Sequence, residues 1–170
     1  MSELVQSILL ITSILAAGIG IYLTIQISKI REDIKSLPRR NEEGMKLKLQ
    51  ALERLTLFVE RCRLTNLVLR IDSSNIASAD YYIQLVETIK SEYDYNLTQQ
   101  VYVSPEIWNA VTKLKDQNIY VIHQITANLP PHATASDMGN MILEYCKTPN
   151  ADLSMVVLDA LQYETKQLLN

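Results

Sequence analysis

The sequence contains four side chains of the types that most often do acid–base, nucleophilic or metal chemistry: His123, His132, Cys62 and Cys146. A histidine transfers protons near neutral pH, and a zinc ion needs three or four ligands that usually include a close pair along the chain. These four residues form no such pair. We therefore expect no metal, no cofactor and no enzymatic activity.

Each of these side chains also has a structural interpretation. His123 lies roughly 160° around its predicted helix from Ile107, which predicts a solvated side chain. His132 follows two prolines in a loop, and both cysteines lie on apolar stripes, as expected of inert core thiols. The four glycines are too few and too scattered to form a phosphate-binding loop.

One segment is polar without being charged, and it is the candidate protein interface: Tyr95, Asn96, Gln99, Gln100 and Tyr102. Amides and phenols can anchor an interface because both form hydrogen bonds and tyrosine adds apolar area at low entropic cost. The alternative is a connection between helices whose amides cap neighbouring helix ends. Both interpretations are open at this point.

The hydrophobic periodicity predicts helices throughout the part of the chain that carries this segment. Pro38 is expected to break the first helix. Ile119, Val121 and Ile122 are β-branched, but their neighbours keep the helical period, so a helix is expected there as well. The predicted helices cover residues 42–69, 76–95 and 105–129, the last of them capped by Ser104, and two further helices start at Ser136 and at Thr148 and Pro149.

Apolar side chains repeat on one face of each of these helices. In the first, Leu52, Leu55, Val59 and Cys62 form a short heptad-like seam, which we interpret as bundle core. Asn118 falls on the apolar face of its helix and is predicted to be a buried amide that needs a partner. In the second helix the predicted core face is Tyr82, Leu85, Val86, Ile89 and Tyr93, opposite Asp80, Gln84, Glu87 and Ser91.

Before these helices, residues 4–27 form an uncharged, apolar run. As a helix this run would reach about 36 Å, enough to cross the ~30 Å core of a bilayer. No Lys or Arg precedes it, unlike in a secretory signal peptide, so we predict an uncleaved anchor. A set of basic residues follows it, which predicts an outside N-terminus and a cytoplasmic C-terminal domain. They are Lys29, Arg31, Lys35, Arg39 and Arg40.

Small side chains recur every fourth residue within the apolar run, at Thr12, Ala16, Gly20 and Thr24. Such a stripe lets a second helix approach closely, which would allow the chain to associate with itself in the membrane. The alternative is chance, because Gly, Ala and Thr are ordinary in membrane helices.

Charge is distributed unevenly after the apolar run. Residues 28–70 hold eleven basic and six acidic residues, a net +5, whereas residues 71–170 hold five basic and twelve acidic residues, a net −7. The basic part would either bind anionic lipid or serve as a topology signal alone. The acidic part argues against nucleic acid as a partner, because phosphates are bound by clustered Lys and Arg.

Two segments, residues 49–71 and 87–108, resemble an uncharacterised family of single-span helical membrane proteins from Bacteroidota. The resemblance includes Asn96, Gln99, Gln100, Tyr102 and Trp108. Members have a His where this chain has Tyr95, so the resemblance gives that position no catalytic role. It implies the architecture and a bacterial inner membrane, but no activity.

The sequence therefore predicts an all-α protein with one N-terminal transmembrane helix followed by a cytoplasmic bundle of about five helices. The predicted divisions are an anchor over residues 1–28, a basic juxtamembrane linker over 29–41 and a helical domain over 42–170. The predicted function is a membrane-anchored scaffold or accessory subunit that binds protein partners and contacts membrane lipid. The alternative is a membrane-tethered ligand sensor or enzyme with a pocket between helices.

Overall fold

The computed structural model describes the backbone of residues 2–148 and 152–169, and the side chains of residues 21–29, 31, 42–148 and 152–169. These residues form helices and the turns between them, without a strand, which confirms the all-α class. The helices are α1 (Ser2–Cys62), α2 (Leu64–Arg70), α3 (Ser78–Asn96), a 3₁₀ helix (Leu97–Val101), α4 (Pro105–Ala127), α5 (Ala135–Cys146) and α6 (Leu153–Leu169).

The chain divides into two compact units, Met1–Met45 and Lys46–Asn170. The described part of the second unit contains six α-helices and one 3₁₀ helix, against a predicted bundle of about five, because the predicted helix over 42–69 is split and the 3₁₀ helix follows α3. The predicted divisions of the chain at residues 28 and 41 stay predictions.

The expected helix break at Pro38 is wrong, because the backbone of α1 is helical from Ser2 to Cys62. Proline removes one backbone donor and strains the preceding turn, at a cost of about 3 kcal/mol. Once a helix exists, each further residue adds a hydrogen bond without a new nucleation cost. The residues on both sides of Pro38 include several Arg and Glu, which favour helix and offset part of that cost.

The break occurs instead at Arg63, between α1 and α2. Arg63 has φ −55° and ψ 125°, so its backbone is extended, although its N–H still donates to the Val59 carbonyl at 2.9 Å. Its side chain pairs with Asp152, which lies 89 positions later in the sequence, at 2.7 Å. Local sequence favours helix at this position, and the break accompanies a long-range contact that periodicity does not encode.

The predicted starts of the last three helices have different outcomes. Ser104 caps α4 as predicted, because its hydroxyl accepts from the Ile107 N–H. The cap of α5 is Thr134 and not Ser136, since Thr134 and Asp137 satisfy each other's backbone N–H groups in a capping box. α6 begins at Leu153, where the Asp152 carboxylate accepts from the Ser154 N–H, whereas Pro149 lies outside the described residues.

The core of the second unit forms where the apolar faces of the helices meet. The predicted seam of α1 is buried in full, and the residues predicted on the wet face of α3 are exposed. Of the predicted core face of α3, Leu85, Val86 and Ile89 are buried, and Tyr82 and Tyr93 are partly buried against the core. Tyr81, which the prediction left out of this face, is fully buried. The Tyr81 hydroxyl donates to the Val68 carbonyl on α2, a contact that helical periodicity alone does not reveal.

Asn118 is buried in this core, as predicted, and the structure supplies its partner. The side-chain amide donates to the Cys62 carbonyl at 2.8 Å. Cys62 is the last residue of α1, and carbonyls at a helix end lack a partner within the helix. Asn118 therefore caps the end of α1 from α4.

Within the described residues, none of the helices is both long and apolar enough to qualify as a membrane span. The side chains of most of the apolar run, residues 4–20, lie outside the described residues.

Candidate protein-interaction surface

The predicted interface segment connects α3 to α4. Asn96 ends α3, the 3₁₀ helix follows over Leu97–Val101, and Ser104 caps α4. A 3₁₀ helix has three residues per turn, so side chains that are three positions apart lie on the same side. This geometry divides the segment into a buried side and an exposed side.

The buried side contains Asn96 and Gln99, which are 4% and 6% exposed. The Asn96 amide donates to the Glu92 carbonyl at 2.8 Å, and the Gln99 amide donates to the Thr98 hydroxyl at 3.0 Å. These contacts are local and hold the connection together. The geometry of Asn96 and Gln99 therefore agrees with a structural role in the connection between helices better than with a role in binding a partner.

The exposed side forms the surface that we call the tyrosine surface: Tyr95, Gln100, Val101 and Tyr102. Tyr95 is 74% exposed, Val101 is 76% exposed and Tyr102 is 41% exposed. Gln100 is also exposed. Three large apolar side chains within eight residues, next to an accessible amide, have the composition of an interface centre.

Side chains of α1 and α4 contact the end of α3 next to the tyrosine surface. Arg54 of α1 lies over the Tyr95 ring at 4.8 Å from its centroid and donates to the Tyr95 carbonyl at 3.2 Å. Two residues earlier, Tyr93 stacks on Trp108 with the ring centroids 5.3 Å apart. The end of α3 is therefore held by both α1 and α4.

A carboxylate network holds the start of α4 beside the tyrosine surface. Glu164 of α6 accepts from the hydroxyl and the backbone N–H of Ser104 and pairs with Lys48 of α1 at 2.9 Å. Burial by itself would raise the pKa of Glu164, but the hydrogen bonds from Ser104 and Lys48 outweigh it and lower the pKa below its usual 4.5. Ionised Glu164 therefore joins three helices.

The comparisons with known proteins concern nearly the whole chain. A family model matches residues 2–168. The chain belongs to the family of unknown function DUF7935. No curated protein and no solved structure matches the chain. The match to DUF7935 includes the whole tyrosine surface and confirms the expected membership in a family without a known function.

The histidines and cysteines do not come together in this member of DUF7935. His123 is exposed and faces Tyr82 at 6.3 Å between ring centroids, and His132 is exposed in a turn. Burial, reinforced by the nearby Glu92 carboxylate, raises the pKa of the Cys62 thiol to about 12. Across the described residues, no cluster of His, Cys, Asp and Glu could hold a metal ion.

The residues predicted for the membrane segment are only partly described. Lys29, Arg31 and Thr24 lie on α1 with exposed side chains. The remaining residues of the small-residue stripe and of the basic cluster have side chains outside the described residues. These are Thr12, Ala16, Gly20, Lys35, Arg39 and Arg40.

Sequence reasoning missed two contributors to the tyrosine surface. Val101 is its most exposed apolar side chain, and a lone valine between an amide and a tyrosine in a polar segment was an available signal. Arg54 is the other, and its contact with Tyr95 joins residues 41 positions apart. The sequence offers no local signal for that contact.

Proposed function

We propose that this chain is a membrane-anchored scaffold or accessory subunit, not an enzyme, which binds a protein partner through the tyrosine surface. The observation that carries the proposal is the exposure of Val101 and Tyr95 on a connection that is held from both sides. Leaving apolar area in water costs about 25 cal/mol per Å². A partner that covers these side chains recovers that free energy without having to order the segment first.

The chemistry of the core supports a binding role over the alternative of a sensor or enzyme with a pocket between helices. A pocket of that kind needs buried polar groups that remain free to meet a ligand. Asn118 is a buried amide on the apolar face of α4, and it donates to the Cys62 carbonyl at 2.8 Å. Asn96 and Gln99 are likewise engaged in local hydrogen bonds. Within the described residues, the Ser154 hydroxyl is the one buried side-chain polar atom without a hydrogen-bond partner, and a single hydroxyl does not supply the several convergent polar groups of a ligand pocket.

The proposed anchor is residues 4–27, in the inner membrane of a bacterium of the Bacteroidota, with the C-terminal domain in the cytoplasm. Two features support it: the run carries no charge, and Lys29 and Arg31 follow it directly. The helical backbone of α1 agrees with this role, because a bilayer leaves no water to satisfy free peptide groups. The basic flank would contact anionic lipid, and the small-residue stripe would allow a second copy of the span to pack closely.

The interface can be tested with a matched pair of substitutions in the full chain. Val101 and Leu69 are both 76% exposed, but only Val101 belongs to the tyrosine surface. Val101→Asp should remove the partners that co-purify with the wild type from mild detergent, because it places a charge in an apolar contact. Leu69→Asp should keep them. Equal recovery of the partners by both variants would place the binding surface elsewhere.

The topology can be tested with a reporter fused after Asn170. Such a fusion should be active in the cytoplasm and inactive in the periplasm, because the basic residues that follow the apolar run hold that flank inside. Periplasmic activity would overturn the proposed orientation and leave the tyrosine surface proposal intact.

A further inference from the structure

A second candidate site lies between α1 and α6, and it shares no residue with the tyrosine surface. The two helices run antiparallel within the second unit. Lys48, near the start of that unit's part of α1, pairs with Glu164 near the end of α6. At the other end, Arg63 pairs with Asp152 at 2.7 Å. Ion pairs therefore connect the two helices at both ends.

Between these ion pairs the helices leave an open groove of about 510 Å³. Leu49, Leu52 and Leu158 form its apolar lining. Its polar lining consists of Glu53, Thr56, Asp159, Gln162 and Thr165. Because the walls are already connected at each end, the groove exists without any rearrangement of the bundle.

The charge of the groove is negative on both walls. Glu53 projects from α1 and Asp159 from α6, both exposed. Neither carboxylate forms an ion pair or a hydrogen bond within the described residues. Arg54, which directly follows Glu53 in α1, is engaged by the carbonyl and the ring of Tyr95, and Lys48 is paired with Glu164. Two unpaired carboxylates on opposite walls of a groove that leucines also line favour an occupant with apolar and cationic side chains.

The length of the groove indicates the form of that occupant. Its lining extends from Leu49 to Thr56 on α1 and from Leu158 to Thr165 on α6, roughly 10 Å of helix on each wall. Two turns of an amphipathic helix fit this length and present apolar side chains at positions i, i+3, i+4 and i+7. Lysines or arginines beside that stripe would reach both carboxylates.

We propose that the groove between α1 and α6 binds a basic amphipathic helix of a partner protein. The half-buried Leu49 and Leu158 take up its apolar stripe, and Glu53 and Asp159 pair with cations on its two sides. This second binding surface would let the scaffold hold one partner at the tyrosine surface and another in the groove.

The test uses the full chain in nanodiscs of zwitterionic lipid and a fluorescent synthetic peptide made of Leu-Lys-Lys-Leu repeats. Fluorescence anisotropy, corrected for binding to empty nanodiscs, should show saturable binding that weakens as salt is added. A scrambled peptide of the same composition lacks the apolar stripe and should bind at least about tenfold more weakly.

Two sets of variants locate the binding. Glu53→Lys combined with Asp159→Lys should weaken peptide binding by about tenfold or more. Thr56→Trp, which fills the groove without changing its charge, should weaken binding similarly. The matched control, Asp80→Lys with Glu87→Lys on the exposed face of α3, makes the same change in net charge and should bind within about twofold of the wild type.

Three results would overturn the proposal. Equal losses in both charge-reversed variants would show non-specific attraction to an acidic protein, and unchanged binding by Thr56→Trp would exclude the groove. A wild-type dimer that Glu53→Lys with Asp159→Lys dissociates, with no peptide binding, would show that a second copy of this chain fills it. None of these results affects the outcome expected for Val101→Asp, so the proposal for the tyrosine surface is tested independently.

Discussion

At the scale of single residues, burial distinguishes amide side chains with a structural role from amide side chains that are available for binding. Asn118, Asn96 and Gln99 are all buried, and each donates to a nearby oxygen. Gln100, next to Gln99, is exposed. Two adjacent glutamines therefore have different expected roles, and substitutions at the two positions should have different consequences.

Asn118→Ala should lower the free energy of unfolding by about 1–3 kcal/mol, because it leaves the buried Cys62 carbonyl without its donor. The measurement is denaturant unfolding in mild detergent, followed by the fluorescence of Trp108, the single tryptophan. Asn109→Ala, an exposed amide on the same helix, is the control and should change stability by less than about 0.5 kcal/mol. Equal effects of the two substitutions would argue that the cap at Cys62 contributes nothing.

At the scale of secondary-structure elements, a few long-range polar contacts decide where helices end and how they are held. Arg63 and Asp152 join the break after α1 to the start of α6. Glu164 joins the start of α4 to α1 and α6 through Ser104 and Lys48. Both sets connect helices that are distant in the sequence, so a change of one side chain affects several elements.

The Glu164 network predicts a particular dependence of stability on pH. Because the pKa of Glu164 is lower in the folded chain than its usual 4.5, the ionised form stabilises the fold at higher pH. That contribution is lost as the pH falls through the folded pKa. Glu164→Gln should therefore cost about 1 kcal/mol at pH 7, and its difference from the wild type should shrink as the pH falls below 4.5 and through the lowered pKa of the folded chain.

Chemical denaturation over a series of pH values measures this difference. Glu53→Gln is the control, since it removes an exposed carboxylate that has no ion pair among the described residues, and it should stay within about 0.5 kcal/mol of the wild type at pH 7. A gap between Glu164→Gln and the wild type that is constant from pH 7 to pH 3 would show that the charge of Glu164 is not what stabilises the network.

At the scale of the whole molecule, the chain consists of two compact units, and the core belongs to the second. Among the residues with described side chains, the buried apolar ones begin at Ala51 and come from α1 through α6. Every member of this core among the residues with described side chains lies in the second unit. Folding of the bundle should therefore be separable from anchoring.

A fragment that starts at residue 41 should fold by itself into a helical domain that unfolds cooperatively. Circular dichroism should show helix content and a single thermal transition, and the fragment should retain the partners of the tyrosine surface in a pulldown. A fragment that is helical but melts without cooperativity would show that the N-terminal unit contributes to the stability of the core.

Much of the fold follows from the sequence because the relevant physics is local. The apolar periodicity of α1, α3 and α4 places Leu52, Leu85 and Ile107 in the core, as their positions on helical faces predict. The Ser104 cap acts within one turn of its helix, and the burial of Asn118 follows from its place on an apolar face. Each of these features depends on neighbours within a few residues.

Other features depend on contacts between residues far apart in the sequence, and only the tertiary structure decides them. The break at Arg63 accompanies the pairing with Asp152, and the division of the amide segment into buried Gln99 and exposed Gln100 depends on how the 3₁₀ helix lies against the bundle. The groove between α1 and α6 is likewise formed by residues about 100 positions apart in the sequence, and ion pairs join these two helices near its ends. A sequence pattern indicates which face of a helix is buried, whereas the choice of partner helix, and any gap left between them, depends on packing across the whole chain.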